Sequence, residues 1–246
     1  MSRVPRRRGS SGFYHVIIRG VGKQVLFERR GDRVFFLKIL ERYSIETETK
    51  LIAYCLMENH VHLLVCGAMV NVSLMMQKIE VSYSGYFNRH YERTGHLFQN
   101  RFLSEAIDNQ RYLLTVFRYI LNNPVKAGIS AASAYEWSSY LLYGRAGSIV
   151  DTSAVQTLIG SWEDYETFIG RANDDDCLEY DGYCKDDEWV SKVIERETGE
   201  KSGTAIKSYD KESRDKAIIM LRLAGLTIRQ IERHTGISRG IIQKAK

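Results

Sequence analysis

At 246 residues, 44% hydrophobic and with 35 Lys+Arg against 30 Asp+Glu, the chain is long enough for one substantial domain and a smaller second one, each with a packed core. No apolar run approaches the ~20 residues of a membrane span. The arginine-rich start (Arg3, Arg6, Arg7, Arg8) lacks the apolar segment of a secretion signal, so a cytoplasmic protein with no membrane partner is expected.

The net charge of +5 is unevenly placed. Residues 1–150 carry 20 Lys+Arg against 11 Asp+Glu, residues 151–207 carry 6 against 15, and residues 208–246 carry 9 against 4. Two basic blocks flank an acidic one, a pattern that suits a polyanionic partner such as nucleic acid, bound more weakly as salt rises. Cys55, Cys66, Cys177 and Cys184 form no CxxC pair, which argues against a zinc ribbon and for reduced thiols.

Residues 1–12 are basic and rich in Gly and Ser, as a mobile arm would be. Phe13 to Arg19 is β-branched and aromatic and stops at Gly20, which predicts a strand; His15 within it reads as structural. After the Gly20-Val21-Gly22 turn, Asp32 can cap a helix with apolar positions Val34, Phe35, Leu37, Ile39, Leu40 and Tyr43. Leu51 to Leu56 and His60 to Cys66 read as a hairpin joined by Met57-Glu58-Asn59. A helix from about Ser73 to His90 follows, with Leu74, Met76, Ile79, Val81, Tyr83, Tyr86 and Phe87 available for a buried face. Arg101 to Ile107 is a fourth strand candidate, and Asp108-Asn109 offers a cap for a helix running through Tyr119.

That order of elements predicts an α+β, ferredoxin-like antiparallel sheet covered by helices over residues 13–150. Residues 151–207 read as a helical and acidic connecting segment, with helices from Ser153 to Ile159 and Trp162 to Ile169 and acidic tracts at Asp174-Asp175-Asp176 and Asp186-Asp187-Glu188. Residues 208–246 change character again. Lys211 to Leu223 is amphipathic, Ala224-Gly225-Leu226 a turn, Thr227 an N-cap for Ile228 to His234, and Ser238 caps a last helix carrying Arg239, Gln243 and Lys244. This matches a small all-α helix-turn-helix whose last helix would enter the major groove of duplex DNA; a helical hairpin with no DNA role is the other reading.

Chemistry concentrates in Asn59-His60-Val61-His62-Leu63-Leu64-Val65. Alternation along a strand places His60 and His62 on one face and Val61, Leu63 and Val65 on the other. Two imidazoles on one face form half of a divalent-metal site, although two histidines on a polar sheet face would look the same. Tyr119 and Asn123 stand four residues apart, which on a helix sets a phenol beside an amide oxygen, while Pro124 disfavours helical geometry at Asn123.

Taken together, these motifs resemble the single-tyrosine HUH transposases, most closely their REP-associated tyrosine transposase branch. The resemblance covers about residues 13 to 143. It rests on Tyr14-His15-Val16 with Arg19-Gly20, Met57 through Leu64, Gly95-His96-Leu97-Phe98-Gln99-Asn100-Arg101-Phe102, Tyr119 through Gly128, and Trp137-Ser138-Ser139-Tyr140. A helix-turn-helix like residues 211–246 occurs in some branches of the family.

The resemblance implies an HUH endonuclease fold and a single-stranded DNA endonuclease and strand transferase. Tyr119 would be the nucleophile, and His60, His62 and Asn123 would hold Mg²⁺ or Mn²⁺. Insertion-sequence relatives usually have Gln at the third ligand. Attack by the phenol would leave a 5′-phosphotyrosine and a free 3′-hydroxyl, and the retained ester energy would allow strands to be rejoined. With an ordinary tyrosine pKa of about 10, a proton acceptor is needed, and none is obvious. The implied substrate is an imperfect hairpin with a short flanking tetranucleotide, and the implied location the nucleoid.

A monomer is favoured over the dimer of the insertion-sequence relatives. Glu58 stands where the family commonly has Pro, and reads as facing solvent in preference to the metal. Arg101 and the arginines of the amino-terminal arm are candidate DNA contacts, and His96 is a candidate for stacking on unpaired bases. Two competing readings remain: a catalytically silent DNA-binding regulator, and a metal-dependent phosphodiesterase using water. The acidic segment could also cover the basic groove until DNA displaces it.

Overall fold

The computed structural model describes residues 9–171, 177–179, 187–224, 226 and 228–245. Most of the expected arm, the acidic residues Asp174–Asp176 and Asp186, and the expected cap Thr227 therefore lie outside the described residues. The chain divides into two compact units, Met1–Tyr180 and Asp181–Lys246.

In the first unit, β1 (Phe13–Arg19), β2 (Lys50–Leu56), β3 (His60–Cys66) and β4 (Leu103–Ile107) form one antiparallel sheet in the order β2-β3-β1-β4. With α1 (Arg30–Glu46) between β1 and β2, and α2 (Met69–His90) between β3 and β4, this is the ferredoxin-like arrangement expected from the sequence. β4 starts at Leu103, two residues later than expected, and leaves Arg101 outside the strand and exposed.

Alternation divides the sheet into two chemically different faces. Tyr14, Val16 and Ile18 of β1, with Val61, Leu63 and Val65 of β3, pack under α1 and α2. The opposite face carries Ala53, Cys55 and Leu64 under α3 (Gln110–Leu121), whose Leu113, Val116, Phe117 and Ile120 complete a second core. Asn109 caps α3 by accepting from the Tyr112 N–H at 2.8 Å. α5 (Ser153–Ile159) and α6 (Trp162–Gly170) add Val155, Tyr165 and Ile169 to this second core. The acidic connecting segment thus begins as packed structure of the first unit.

The helices differ from expectation in which residues they bury. α2 buries Met69, Val72, Met75, Met76, Ile79, Tyr83 and Phe87, spaced three or four apart, whereas Leu74 is 45% and Val81 68% exposed. Both lie on turns of the helix that face away from α1 and the sheet, so hydrophobicity alone misassigned them. Val34 of α1 is likewise exposed, and Phe36 takes the core position.

Asp32 caps α1 from inside the helix and not as the N-cap residue, which is Arg29: at the third helical position it accepts from the Arg29 N–H at 2.9 Å, and it also receives the hydroxyls of Tyr86 (2.9 Å) and Tyr91 (2.6 Å). Its carboxylate therefore joins the start of α1 to the end of α2 in a buried, satisfied cluster.

Two of the sequence motifs act as extra edge pairing. Leu56 N–H donates to the Trp137 carbonyl and Ser139 N–H to that of Tyr54, so the Trp137-Ser138-Ser139-Tyr140 stretch protects the edge of β2. Val21 N–H donates to the Leu97 carbonyl and Gln99 N–H to that of Arg19, which ties the Gly95–Phe102 segment to the end of β1.

The second unit is helical: α7 (Asp187–Thr198), α8 (Lys211–Leu223), α9 (Ile228–Thr235) and α10 (Arg239–Lys244). Val190, Ile194, Ile206, Ile218, Leu221, Ile231 and Ile242 form its core. Asp210 caps α8 through the N–H groups of Glu212 and Ser213.

Candidate active site

Strand register builds the site before any side chain is considered. Arg19 of β1 pairs with His60 of β3, Ile17 with His62, and His15 with Leu64. His15, Arg19, His60 and His62 therefore share the sheet face that α3 covers. The two rings of His60 and His62 stand 4.9 Å apart, centroid to centroid, nearly perpendicular.

His62 is buried, and its Nδ1 lies 3.0 Å from Nε2 of His15, which is itself fully buried. The contact occupies Nδ1 of His62 and leaves Nε2 as the ring's other nitrogen. His60 Nδ1 lies 2.7 Å from the amide oxygen of the neighbouring Asn59. Burial pushes His15 down to about 3. His62 is also held well below the ordinary histidine value, by burial first and then by repulsion from His60, His15 and Lys126. Both rings are thus neutral at physiological pH, and one of them donates the shared proton. His15 Nδ1 has no hydrogen-bond partner among the described residues.

α3 brings Tyr119 over this face. Its ring centroid is 5.7 Å from that of His62 and 5.9 Å from that of His15, edge-on in both cases. Pro124 has no N–H to continue the helical ladder, so α3 ends at Leu121 and a further helical turn, α4 (Asn123–Lys126), starts beyond Asn122. The Asn123 side chain spans that break: Nδ2 donates to the Tyr119 carbonyl at 3.0 Å, which leaves the amide oxygen as its acceptor. The structure thus brings His60, His62 and Tyr119 together and sets Asn123 on the turn after the tyrosine.

Three further residues join the site without having been read as part of it. His15 is the partner of His62. Lys126 places Nζ 5.0 Å from the centre of the Tyr119 ring. Glu179, from the acidic segment, accepts the Tyr119 hydroxyl at 2.9 Å and Lys126 Nζ at 2.6 Å, both on Oε1. The sequence signal for His15 was its alternation with Arg19 on β1; Glu179 had no local signal, lying 60 residues from Tyr119.

Among the expected DNA contacts, Arg101 is exposed, as is Glu58 at the hairpin turn. Arg239, Gln243 and Lys244 are exposed on the last helix of the second unit, where Arg239 pairs with Glu232. Among the described residues no group of three His, Cys, Asp or Glu side chains is placed to hold a metal. No helix among the described residues is long and apolar enough to cross a membrane.

The site is thus an antiparallel α+β sheet with a histidine pair facing a buried helical tyrosine. Residues 10–123, just under half of the chain, match the model of the family described as transposase IS200 like.

Among solved structures, a REP-associated tyrosine transposase bound to a REP hairpin is similar over 63% of this chain and 96% of its own, with 19% identity and a TM-score of 0.47. A candidate transposase from Deinococcus radiodurans R1 is similar over 53% of this chain and 98% of its own, with 17% identity and a TM-score of 0.33. The comparison with curated proteins returned no match.

Proposed function

We propose that the chain is a metal-dependent single-stranded DNA endonuclease and strand transferase of the REP-associated branch, cleaving beside hairpin repeat elements with Tyr119 as nucleophile. One observation carries this reading: the Tyr119 phenol, on a helix 4% exposed at that residue, packs against the histidine face of the sheet. A tyrosine kept only for packing has no need of two neutral imidazoles beside it.

The donor set fits a divalent cation. His62 is fixed by His15 so that Nε2 remains, His60 is fixed on one side by Asn59, and the Asn123 amide is turned so that its oxygen is left as donor. His60, His62 and Asn123 would hold Mg²⁺ or Mn²⁺. When bound, the ion supplies Lewis-acid polarisation of the scissile phosphate. The protein's own residues do the rest. α3 fixes the phenol, and Lys126 adds positive charge beside the ring. The phenolic oxygen takes the 5′ phosphate and the 3′ oxygen departs as a hydroxyl, so the same ester can be attacked in reverse and strands rejoined.

The second unit would act as a helix-turn-helix, with Arg239, Gln243 and Lys244 presented to duplex DNA from α10. Residues 208–246 would carry that motif and residues 13–150 the catalytic one, with residues 151–207 linking them while lending Val155, Tyr165 and Ile169 to the core of the first unit and Val190, Ile194 and Ile206 to that of the second. The protein would work as a nucleoid-associated monomer in the cytoplasm.

The test is a cleavage assay with Mn²⁺ on labelled single-stranded hairpins drawn from repeats near the gene. A covalent DNA adduct that survives denaturation, requires metal and vanishes in Tyr119→Phe, which still binds DNA, is the expected result. Free product from both proteins would make water the nucleophile, and binding without cleavage on any substrate would leave a DNA-binding regulator.

A further inference from the structure

The nucleophile of such a site needs a group to take its proton, and the metal-ligand role proposed for His60 and His62 commits both of those rings elsewhere. His62 Nδ1 is engaged by His15, and its remaining nitrogen belongs to the donor set assigned to the metal. The described hydrogen bond of the Tyr119 hydroxyl goes elsewhere, to a carboxylate oxygen of Glu179 at 2.9 Å. We propose that Glu179, carried by the acidic segment, is the proton acceptor for Tyr119, a role that rests on the reading of Tyr119 as nucleophile.

Several observations converge on this residue. The oxygen that accepts the phenol also accepts Lys126 Nζ at 2.6 Å, so a cation holds the carboxylate against the phenol. The segment is anchored, because Cys177 is buried in the core beneath α3 and the next residue, Leu178, is buried too. The base of α3 is fastened to the same region of chain: Asn122 Nδ2 donates to the Ile169 carbonyl at 3.0 Å. The distance is within the 2.6–3.2 Å reach expected of a general base, and a carboxylate accepting a hydroxyl proton is established chemistry in phosphoryl transfer.

The step balances without any further reactant. The Tyr119 O–H bond breaks and its proton passes to Oε1 of Glu179. The phenolic oxygen bonds to phosphorus as the bond from phosphorus to the 3′ oxygen breaks, and that oxygen takes a proton from water. Glu179 then returns its proton to solvent, so none is gained or lost. In the reverse direction protonated Glu179 gives a proton back to the departing phenolate, so forward and reverse reactions depend on it equally.

Glu179→Gln keeps an acceptor oxygen at the same place but cannot take the proton. With full-length protein, Mn²⁺ and a labelled hairpin, it is expected to slow adduct formation roughly 10²–10⁴-fold. Rejoining from the isolated adduct should slow by the same factor, with hairpin affinity unchanged. Glu179→Asp, with a shorter carboxylate, should recover part of the rate.

Cleavage by Glu179→Gln at the wild-type rate or faster would overturn the proposal, a faster rate showing the carboxylate to be a cover that DNA must displace. If Tyr119→Phe still cleaves, or wild type forms no adduct, the nucleophile assignment fails and the role of Glu179 with it. If wild type forms the adduct and only the Glu179→Gln result disagrees, the nucleophile stands and Glu179 alone falls.

Discussion

His15 Nε2 and His62 Nδ1 meet at 3.0 Å between two buried strands, and this contact decides which nitrogen of His62 faces the site. A ring with one nitrogen engaged cannot flip without breaking a buried hydrogen bond, and the loss of such a bond costs about 1–3 kcal/mol. His15 thereby orients His62 from beside it on the same sheet face, with Tyr119 edge-on to both rings.

Removing that support should loosen metal binding without removing a ligand. His15→Leu is expected to weaken Mn²⁺ binding roughly 10–100-fold, the usual consequence of losing an outer hydrogen-bond partner. Calorimetric titration of Mn²⁺ into wild type and variant checks this. Equal affinity would mean that His62 is oriented by packing alone.

The same pair predicts how stability depends on pH. A histidine held at about 3 when folded and at 6.5 when unfolded binds fewer protons in the folded state between those values. Its contribution is complete above about 6.5 and is lost as pH falls towards 3, with a slope of at most about 1.4 kcal/mol per pH unit for one such group. His62 acts in the same direction. Asp151, held down to about 2 by Lys50 and Ser153, acts in the same direction only below its ordinary value of 3.8, and less strongly because solvent screens its part-exposed pair with Lys50. Urea unfolding of metal-free protein from pH 7 to pH 4 should therefore show a decline that flattens in His15→Gln.

The Asn123 amide bonds the Tyr119 carbonyl through nitrogen, and its oxygen is the proposed metal ligand. Asn123→Ala is expected to lose at least about tenfold in Mn²⁺ affinity and to free the turn that follows α3. Asn123→Gln, which restores the amide on a longer arm, should recover metal binding in part. Mn²⁺ titration of both variants, read beside their unfolding curves, separates the two effects.

Gly20 and Gly22 flank the same turn for different reasons. A Cβ at Gly20 would stand 2.2 Å from the Gln24 carbonyl oxygen, a backbone atom that cannot swing aside. At Gly22 it would meet nothing within 4 Å, and only the φ of 59° is unfavourable. Gly20→Ala should cost about 2 kcal/mol or more in urea unfolding, and Gly22→Ala about 1 kcal/mol.

What the sequence by itself determined was the part governed by local rules. Period-two alternation in His60–Cys66 fixed which side chains share a face, and the strand and helix order fixed the ferredoxin-like sheet. Helix positions on exposed turns escaped it: Val81 is as hydrophobic as its buried neighbours, and only the placement of α1 and the sheet shows that it faces outward.

The site divides the same way. His60 and His62 lie two residues apart and were visible together, and the four-residue spacing of Tyr119 and Asn123 was visible too. Tertiary structure alone decided that His15 backs His62, across 47 residues, and that Glu179 reaches Tyr119, across 60. Contacts of that kind arise from strand register and from where a segment anchors its buried residues. No local pattern encodes either one, because each depends on packing between elements whose separation in sequence carries no information about their separation in space.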